Sequence, residues 1–158
     1  MKTQYSNILN KPIYILLILV IVILDIFSKY WILNNIEVNQ VKYCFTILNF
    51  FHVHNYGAAF SFLSNRSEWT KWFLFSVSIC TILFITKTML KSTKIKKNKY
   101  IAYTFIVSGA IGNLIDRIIH GFVIDFIDLH LNDLHFATFN IADISIFIGV
   151  IILIRTKY

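Results

Sequence analysis

The chain has 158 residues, 57% of them hydrophobic, with 15 Lys and Arg against 8 Asp and Glu, and a mean hydropathy of +0.67. A soluble domain averages about 45–50% apolar residues, so an ordinary water-soluble fold is excluded and an integral membrane protein of one compact domain, residues 1–158, is expected. The formal charge of +7 does not mark a nucleic-acid binder: Lys2, Lys11, Lys87, Lys91, Lys94, Lys96, Lys97, Lys99, Arg155 and Lys157 lie outside or at the ends of apolar blocks, with no acidic residue among them, as in the positive-inside pattern of cytoplasmic segments.

The first apolar block, about 13–33, follows a short basic N-terminus. A cleaved signal peptide would end in small residues, whereas "LDIFSKYWIL" is bulky throughout, so a retained span is expected. The segment about 34–68 contains "VKYCFTILNFFHVHN", rich in aromatic and β-branched residues, and reads as a small sheet lying on the membrane surface. The second block covers about 69–90, and the basic stretch "KSTKIKKNK" at 91–99 joins it to the third, about 100–119. A further outer segment, about 120–139, leads to the fourth block, about 140–154. That block is short for a bilayer that takes roughly 20 residues, which a thin local bilayer or burial in protein would accommodate.

With 91–99 on the cytoplasmic side, both termini lie inside and the two longer segments lie outside. Tyr30, Trp31, Trp69 and Trp72 then fall at the outer boundary, where aromatic belts form. The fold class expected is an all-α polytopic membrane protein: four transmembrane helices, a small extracytoplasmic β-rich segment and cytoplasmic termini. Cys44 and Cys80 are set apart by this topology, so no disulfide is expected, and "VSIC" at 77–80 has a large Ile79 where a lipid-attachment box needs a small residue.

Charge within the spans costs roughly 2.5–3.5 kcal/mol per residue by insertion scales. Asp25 lies about 18 Å into the first span at 1.5 Å per residue, past the midplane toward the outside. Ser28 and Lys29 follow on the same helical face. In the third block Gly109, Gly112, Asn113 and Asp116 recur at i, i+3, i+4 and i+7, with Arg117 one turn beyond Asn113. Asp125 follows that span, and Asp143 lies in the first turn of the fourth. Each has an ordinary explanation alone. Asp25 and Lys29 could be a buried pair, Arg117 a lipid-phosphate ligand, Asn140 with Asp143 a helix cap, the glycines packing positions, and Asp125 and Asp128 solvated loop residues. None of these explains why the groups converge in one half of the membrane.

The sequence has no G-x-S-x-G around Ser28 or Ser108 and no H-E-x-x-H. His52, His54, His120, His130 and His135 have no diagnostic ligand spacing, so no metal and no cofactor is expected. A pair of aspartates holding a water could hydrolyse a peptide bond. A small transporter or proton relay would use the same charges, but the inner half of the spans carries almost no ionisable residue. A purely structural subunit leaves the convergence unexplained.

Five motifs in order, "LDIFSK" at 24–29, "NYGAAF" at 55–60, "GAIGNLIDR" at 109–117, "GFVIDF" at 121–126 and "FNIAD" at 139–143, give the chain a resemblance to bacterial lipoprotein signal peptidase, or signal peptidase II, over nearly its whole length. The resemblance implies an intramembrane aspartic protease of the bacterial cytoplasmic (inner) membrane, with its active site toward the extracytoplasmic face. Such an enzyme removes signal peptides from prolipoproteins on the N-terminal side of a diacylglyceryl-modified cysteine. It implies Asp125 and Asp143 as the catalytic pair, with Asp25, Lys29, Asn55, Gly57, Asn113, Asp116, Arg117, Asn140 and Ala142 in support. It further implies the lipidated prolipoprotein and the phospholipid bilayer as partners, cyclic peptide antibiotics of the globomycin type as inhibitors, a monomer, and no nucleic acid. One departure is Ser108-Gly109 where the family commonly has Gly-Gly, which is expected to affect helix packing more than chemistry.

Overall fold

A computed structural model describes residues 11–57, 68–91, 95–131 and 134–156. In chain order they form α1 (Lys11–Asn35), β1 (Val41–Phe45), β2 (Leu48–Asn55), α2 (Glu68–Lys91), α3 (Lys97–Ile119), β3 (Val123–Leu131), β4 (Leu134–Phe139) and α4 (Ile141–Arg155). The four helices follow the four apolar blocks. The all-α expectation needs correction, because the strands build one four-stranded antiparallel sheet in the order β1-β2-β3-β4. Half of it comes from the segment 120–139, which carried no strand expectation. The reason is burial on both faces: Val123, Ile124, Asp125 and Phe126 are all less than 5% exposed, so β3 lacks the polar–apolar alternation by which a half-buried strand is recognised.

Three helices, α1, α2 and α3, are long and apolar enough to cross a membrane. The fourth, at 15 residues, reaches about 22 Å at 1.5 Å per residue, short of a hydrocarbon core of about 30 Å. Large apolar side chains such as Leu19, Ile23, Phe27, Leu83 and Phe84 are exposed on the outer faces of the helices, as a lipid-facing surface requires. The centre of the bundle is α3: 56% of its apolar window is buried against 17% in α1 and in α2. It packs on all three other helices.

Close approach of α3 and α4 depends on glycine. A Cβ at Gly109 would collide with the Ala142 carbonyl oxygen, and one at Gly149 would lie 2.7 Å from that of Ala102. Ser108, the departure noted above, is fully buried but keeps its hydroxyl inside its own helix, donating to the Thr104 carbonyl at 2.7 Å. The sheet docks on the end of the bundle through a cluster of Ile32 of α1 and Ile36 just after it with Ile124 and Phe126 of β3, extended by Phe50, Phe122, Ile127 and Ile141.

Gly109→Ala is expected to overpack the α3–α4 contact and to destabilise by about 1–3 kcal/mol, whereas Ser108→Gly should cost no more than the roughly 0.5–1 kcal/mol of a helical glycine. Thermal melting in detergent checks both, and a Gly109→Ala protein that melts with wild type would contradict the packing described.

Candidate active site

The site grows from a lysine. Lys29, on the sheet-proximal part of α1, is 2% exposed. Its Nζ lies 2.7 Å from Asp25 Oδ2, 2.9 Å from Asp116 Oδ2 and 3.2 Å from Asn113 Oδ1. An ammonium has three donors, and here each has an acceptor. The two carboxylates have further partners. Asp25 Oδ1 accepts the Ala142 backbone N–H at 2.8 Å, and Asp116 Oδ2 also accepts that of Ile124 at 3.0 Å. Ala142 and Ile124 immediately precede Asp143 and Asp125 in the chain. One buried cation thereby fixes the backbone beside both candidate catalytic residues.

Asn140 performs the second half of that positioning. As the N-cap of α4 its side-chain oxygen accepts the Asp143 backbone N–H at 2.9 Å, which satisfies a free donor of the first turn. Its oxygen being committed there, its NH2 faces β3 and donates to Asp125 Oδ1 at 2.7 Å. Asn113 is oriented by the same logic. Its oxygen meets the donors Lys29 Nζ and Asn140 Nδ2, each at 3.2 Å, so its NH2 turns to Asp143 Oδ1 at 2.8 Å. Asp125 receives a second amide, Asn55 Nδ2, on Oδ2 at 2.8 Å.

The reach of Asn55 depends on a bulge. Phe50 pairs with Ile127, but Val53 pairs with Asp125, so β2 holds one extra residue between them. The one-residue shift puts Val53 and Asn55, rather than His52 and His54, on the face shared with Asp125. Beyond it, Gly57 N–H donates to Asn55 Oδ1 at 2.8 Å, and Arg117 Nη2 donates to the Gly57 carbonyl at 3.3 Å. Arg117 Nη1 donates to the Asn113 carbonyl at 3.3 Å, and the guanidinium faces the carboxylates of Asp143, Asp125 and Asp116. Burial first, and the neighbouring Asp143 charge second, push the Asp125 carboxyl up to about 7, against the opposing amide bonds from Asn55 and Asn140.

Both carboxyls open into a cavity of about 750 Å³. α2 packs on α3 but scarcely on α4, and the cavity occupies that gap. Leu74, Val77 and Ser78 of α2 face Ile146, Phe147 and Val150 of α4 across it, while Asn55, Asn113, Arg117, Asp125 and Asp143 make its polar part.

A family model described as signal peptidase (SPase) II matches residues 17–157. The chain is similar to a lipoprotein signal peptidase of Buchnera aphidicola subsp. Acyrthosiphon pisum, at 58% identity over 100% of this chain and 99% of that protein. A lipoprotein signal peptidase of Serratia proteamaculans is 39% identical over 92% of this chain and 90% of its own length. The chain belongs to the signal peptidase II family. Among solved structures, a bacterial membrane enzyme determined by the in meso method at 2.3 Å resolution superposes with a TM-score of 0.85 at 30% identity, covering 99% of this chain and 92% of that one.

Within this signal peptidase II fold the eleven residues singled out in the sequence, Asp25, Lys29, Asn55, Gly57, Asn113, Asp116, Arg117, Asp125, Asn140, Ala142 and Asp143, come together at one end of the bundle beside the sheet. Ala58, Ala59 and Phe60 of the "NYGAAF" motif lie outside the described residues. Asp128 is a correction: expected as a solvated loop residue, it is 1% exposed on β3 and hydrogen-bonded to His135 Nδ1 at 2.9 Å. The α2 wall of the cavity was missed. The signal was present, since Leu74, Ser78 and Thr81 recur at i, i+4 and i+7 and share one helical face.

Lys29→Met should leave two buried carboxylates without their cation, a loss of about 3–5 kcal/mol for such pairs. Adding Asp25→Asn and Asp116→Asn removes the stranded charges, and the triple variant is expected to melt above Lys29→Met. Melting curves in one detergent compare them, and equal melting of Lys29→Met and wild type would remove Lys29 from this structural role.

Proposed function

We propose that this signal peptidase II chain is an aspartic endopeptidase of the bacterial cytoplasmic membrane that cleaves prolipoproteins on the N-terminal side of a diacylglyceryl-modified cysteine, with Asp125 and Asp143 activating the water. The observation that carries this reading is one buried and one half-buried carboxyl, Asp125 and Asp143, at the polar end of an otherwise apolar cavity, each tethered by a neutral amide. An apolar signal helix suits the α2–α4 gap, and the scissile bond that follows it would meet the carboxyls.

Like charges in a shielded site do not both ionise cheaply, so one proton stays in the pair, and the two titration steps belong to the pair. Asp125, raised to about 7, is the better holder of it. Asp143 lies in the first turn of α4, near Arg117, and the helix dipole favours its anion. Asp143 takes a proton from the water as the hydroxyl adds to the carbonyl carbon, while Asp125 gives its proton to the carbonyl oxygen. The tetrahedral diol then collapses: Asp143 returns a proton to the leaving amide nitrogen, and Asp125 recovers one from a diol hydroxyl. The C–N bond breaks, one water is consumed and the dyad is restored. Lys29, Asp25, Asp116, Asn113, Asn140 and Ala142 hold the two carboxyls in register. Asn55, Gly57 and Arg117 border the place where the substrate backbone would run, and cyclic peptides of the globomycin type would compete for it. The unit is proposed to act as a monomer, with four spans, cytoplasmic termini and the sheet outside.

Asp125→Asn and Asp143→Asn should each lower turnover of a lipidated precursor by at least about 10²–10⁴-fold while melting as folded proteins. Glu37→Gln, at an exposed position before β1, should keep wild-type turnover. Activity near wild type in either dyad variant would falsify the assignment. The pH profile of kcat/KM should be bell-shaped, with the acid limb from protonation of the base and the alkaline limb, near pH 7, from loss of the proton that the pair shares. A flat profile under conditions where chemistry limits the rate would count against a shared-proton pair.

Orientation has its own measurement. In a protein with Cys44 and Cys80 replaced by Ser, cysteines placed at Lys96 and at Glu37 should label from opposite sides of the membrane, Glu37 from outside. Labelling of both from one side would overturn the proposed topology. A cysteine at Asn65 would report the same outer face, though that residue lies outside the described ones.

A further inference from the structure

The far end of the β3–β4 hairpin gathers a second polar cluster that the protease reading leaves unused. His130 and His135 are direct cross-strand partners, and their rings stack at a centroid separation of 5.4 Å. Asp128 stands two residues before His130 on β3. One ligand atom from each of the three lies within 4.8 Å of the others. Asp128 Oδ2 is 2.9 Å from His135 Nδ1 and 4.0 Å from His130 Nδ1. His130 Nδ1 is buried and has no hydrogen-bond partner among the described residues. A buried ring nitrogen with nothing to bond is unusual in a folded protein, and this one lies on the Asp128 side of its ring.

We propose that Asp128, His130 and His135 form a binding site for one divalent transition-metal ion of the zinc type. A tetrahedral ion about 2.0–2.1 Å from each donor sets the donors about 3.3 Å apart, and the observed 2.9 Å and 4.0 Å separations bracket that value. Two imidazoles and one carboxylate suit Zn²⁺, Ni²⁺ or Cu²⁺ rather than Mg²⁺ or Ca²⁺, which take oxygen ligands. The His135 side chain is 54% exposed, so the ion has an entry path and room for a water as fourth ligand. Binding gives His130 Nδ1 the partner it lacks and replaces one side chain–side chain hydrogen bond by three ligand bonds across the two strands. The site is separate from the dyad, and its ion acts as a staple. It stiffens the hairpin that contributes Asp125, Leu129, Phe136 and Phe139 to the cavity, without entering the hydrolytic step. The proposal does not rest on the assigned cleavage chemistry.

The test uses the untagged full chain in detergent, stripped with a chelator and dialysed. Zn²⁺ titration by calorimetry should give one saturable site per chain, and Co²⁺ should give the visible absorption of a tetrahedral complex. His135→Ala, at a half-exposed position, should weaken Zn²⁺ binding at least tenfold and abolish the Zn²⁺-induced rise in melting temperature. His130→Gln should do the same, and His120→Ala, at an exposed position outside the cluster, should change nothing. Circular dichroism and precursor cleavage establish that His135→Ala is folded. Absence of saturable binding, binding undiminished in folded His135→Ala, or binding lost in His120→Ala would each overturn the proposal.

Discussion

The rest of the site depends on the desolvated ammonium of Lys29. Taking an ion out of water costs several kcal/mol even after relaxation, unless its donors are all met in good geometry. Lys29 meets that condition through Asp25, Asn113 and Asp116, and no large displacement of α1 against α3 would preserve it. The same carboxylates extend the constraint to α4 and β3 through the Ala142 and Ile124 backbone amides. Four elements, α1, α3, β3 and α4, are therefore referenced to one point charge. A charge balance follows from the cluster: Lys29 and Arg117 face Asp25, Asp116 and the pair Asp125 and Asp143. With one proton in the pair the six groups sum to −1, and with none to −2. A buried, partly dry site disfavours the second state, in keeping with the position of Asp125 at about 7.

Neutral amides make the remaining connections, and their neutrality is a physical requirement. Asn55 from β2, Asn113 from α3 and Asn140 ahead of α4 each present one donor to a carboxylate and one acceptor elsewhere. A carboxylate in any of these places would add a charge to a cluster already in excess of anion. A lysine would pair with the two carboxyls and remove the shared proton that the proposed mechanism needs. An amide holds an aspartate without deciding its protonation state, because it can face either an anionic oxygen or the carbonyl oxygen of the acid. That leaves burial and the mutual repulsion of the two carboxyls to set the proton's position.

The helices and the candidate residues on them were legible because both leave local traces, whereas the pairing of Asp125 with Asp143 came from the motif resemblance. Apolar blocks mark the spans, and Gly109, Gly112, Asn113 and Asp116 repeat at helical spacing, so their common face follows from the sequence. The Asn140–Asp143 cap was legible for the same reason, since it is a contact three residues apart. What escaped is non-local. β3 is covered on both faces and edged by β2 and β4, so its aspartates read as loop residues when they are buried ones. The β2 bulge that aims Asn55 at Asp125 exists only as a mismatch between two strands separated by two helices. Asp128 and His135 meet across a hairpin that had not been expected, and the α2 wall of the cavity becomes visible only once α4 is placed opposite.

These pieces also account for the site's place in the fold. The proposed hydrolysis of a bond at the end of an apolar helix would need two media at once: a low-polarity groove for the helix and a polar end where a water can be held and ionised. The α2–α4 gap supplies the first with Leu74, Val77, Phe147 and Val150, and the junction of bundle and sheet supplies the second with Asn55, Asn113, Arg117 and the two aspartates. The sheet provides a strand whose backbone is held on both sides and whose Asp125 is then oriented by amides from two directions. Fixing one carboxyl on a strand and the other on a capped helix lets their separation be set by the Lys29 cluster, which touches the backbone beside each, and not by the membrane-facing packing of the helices.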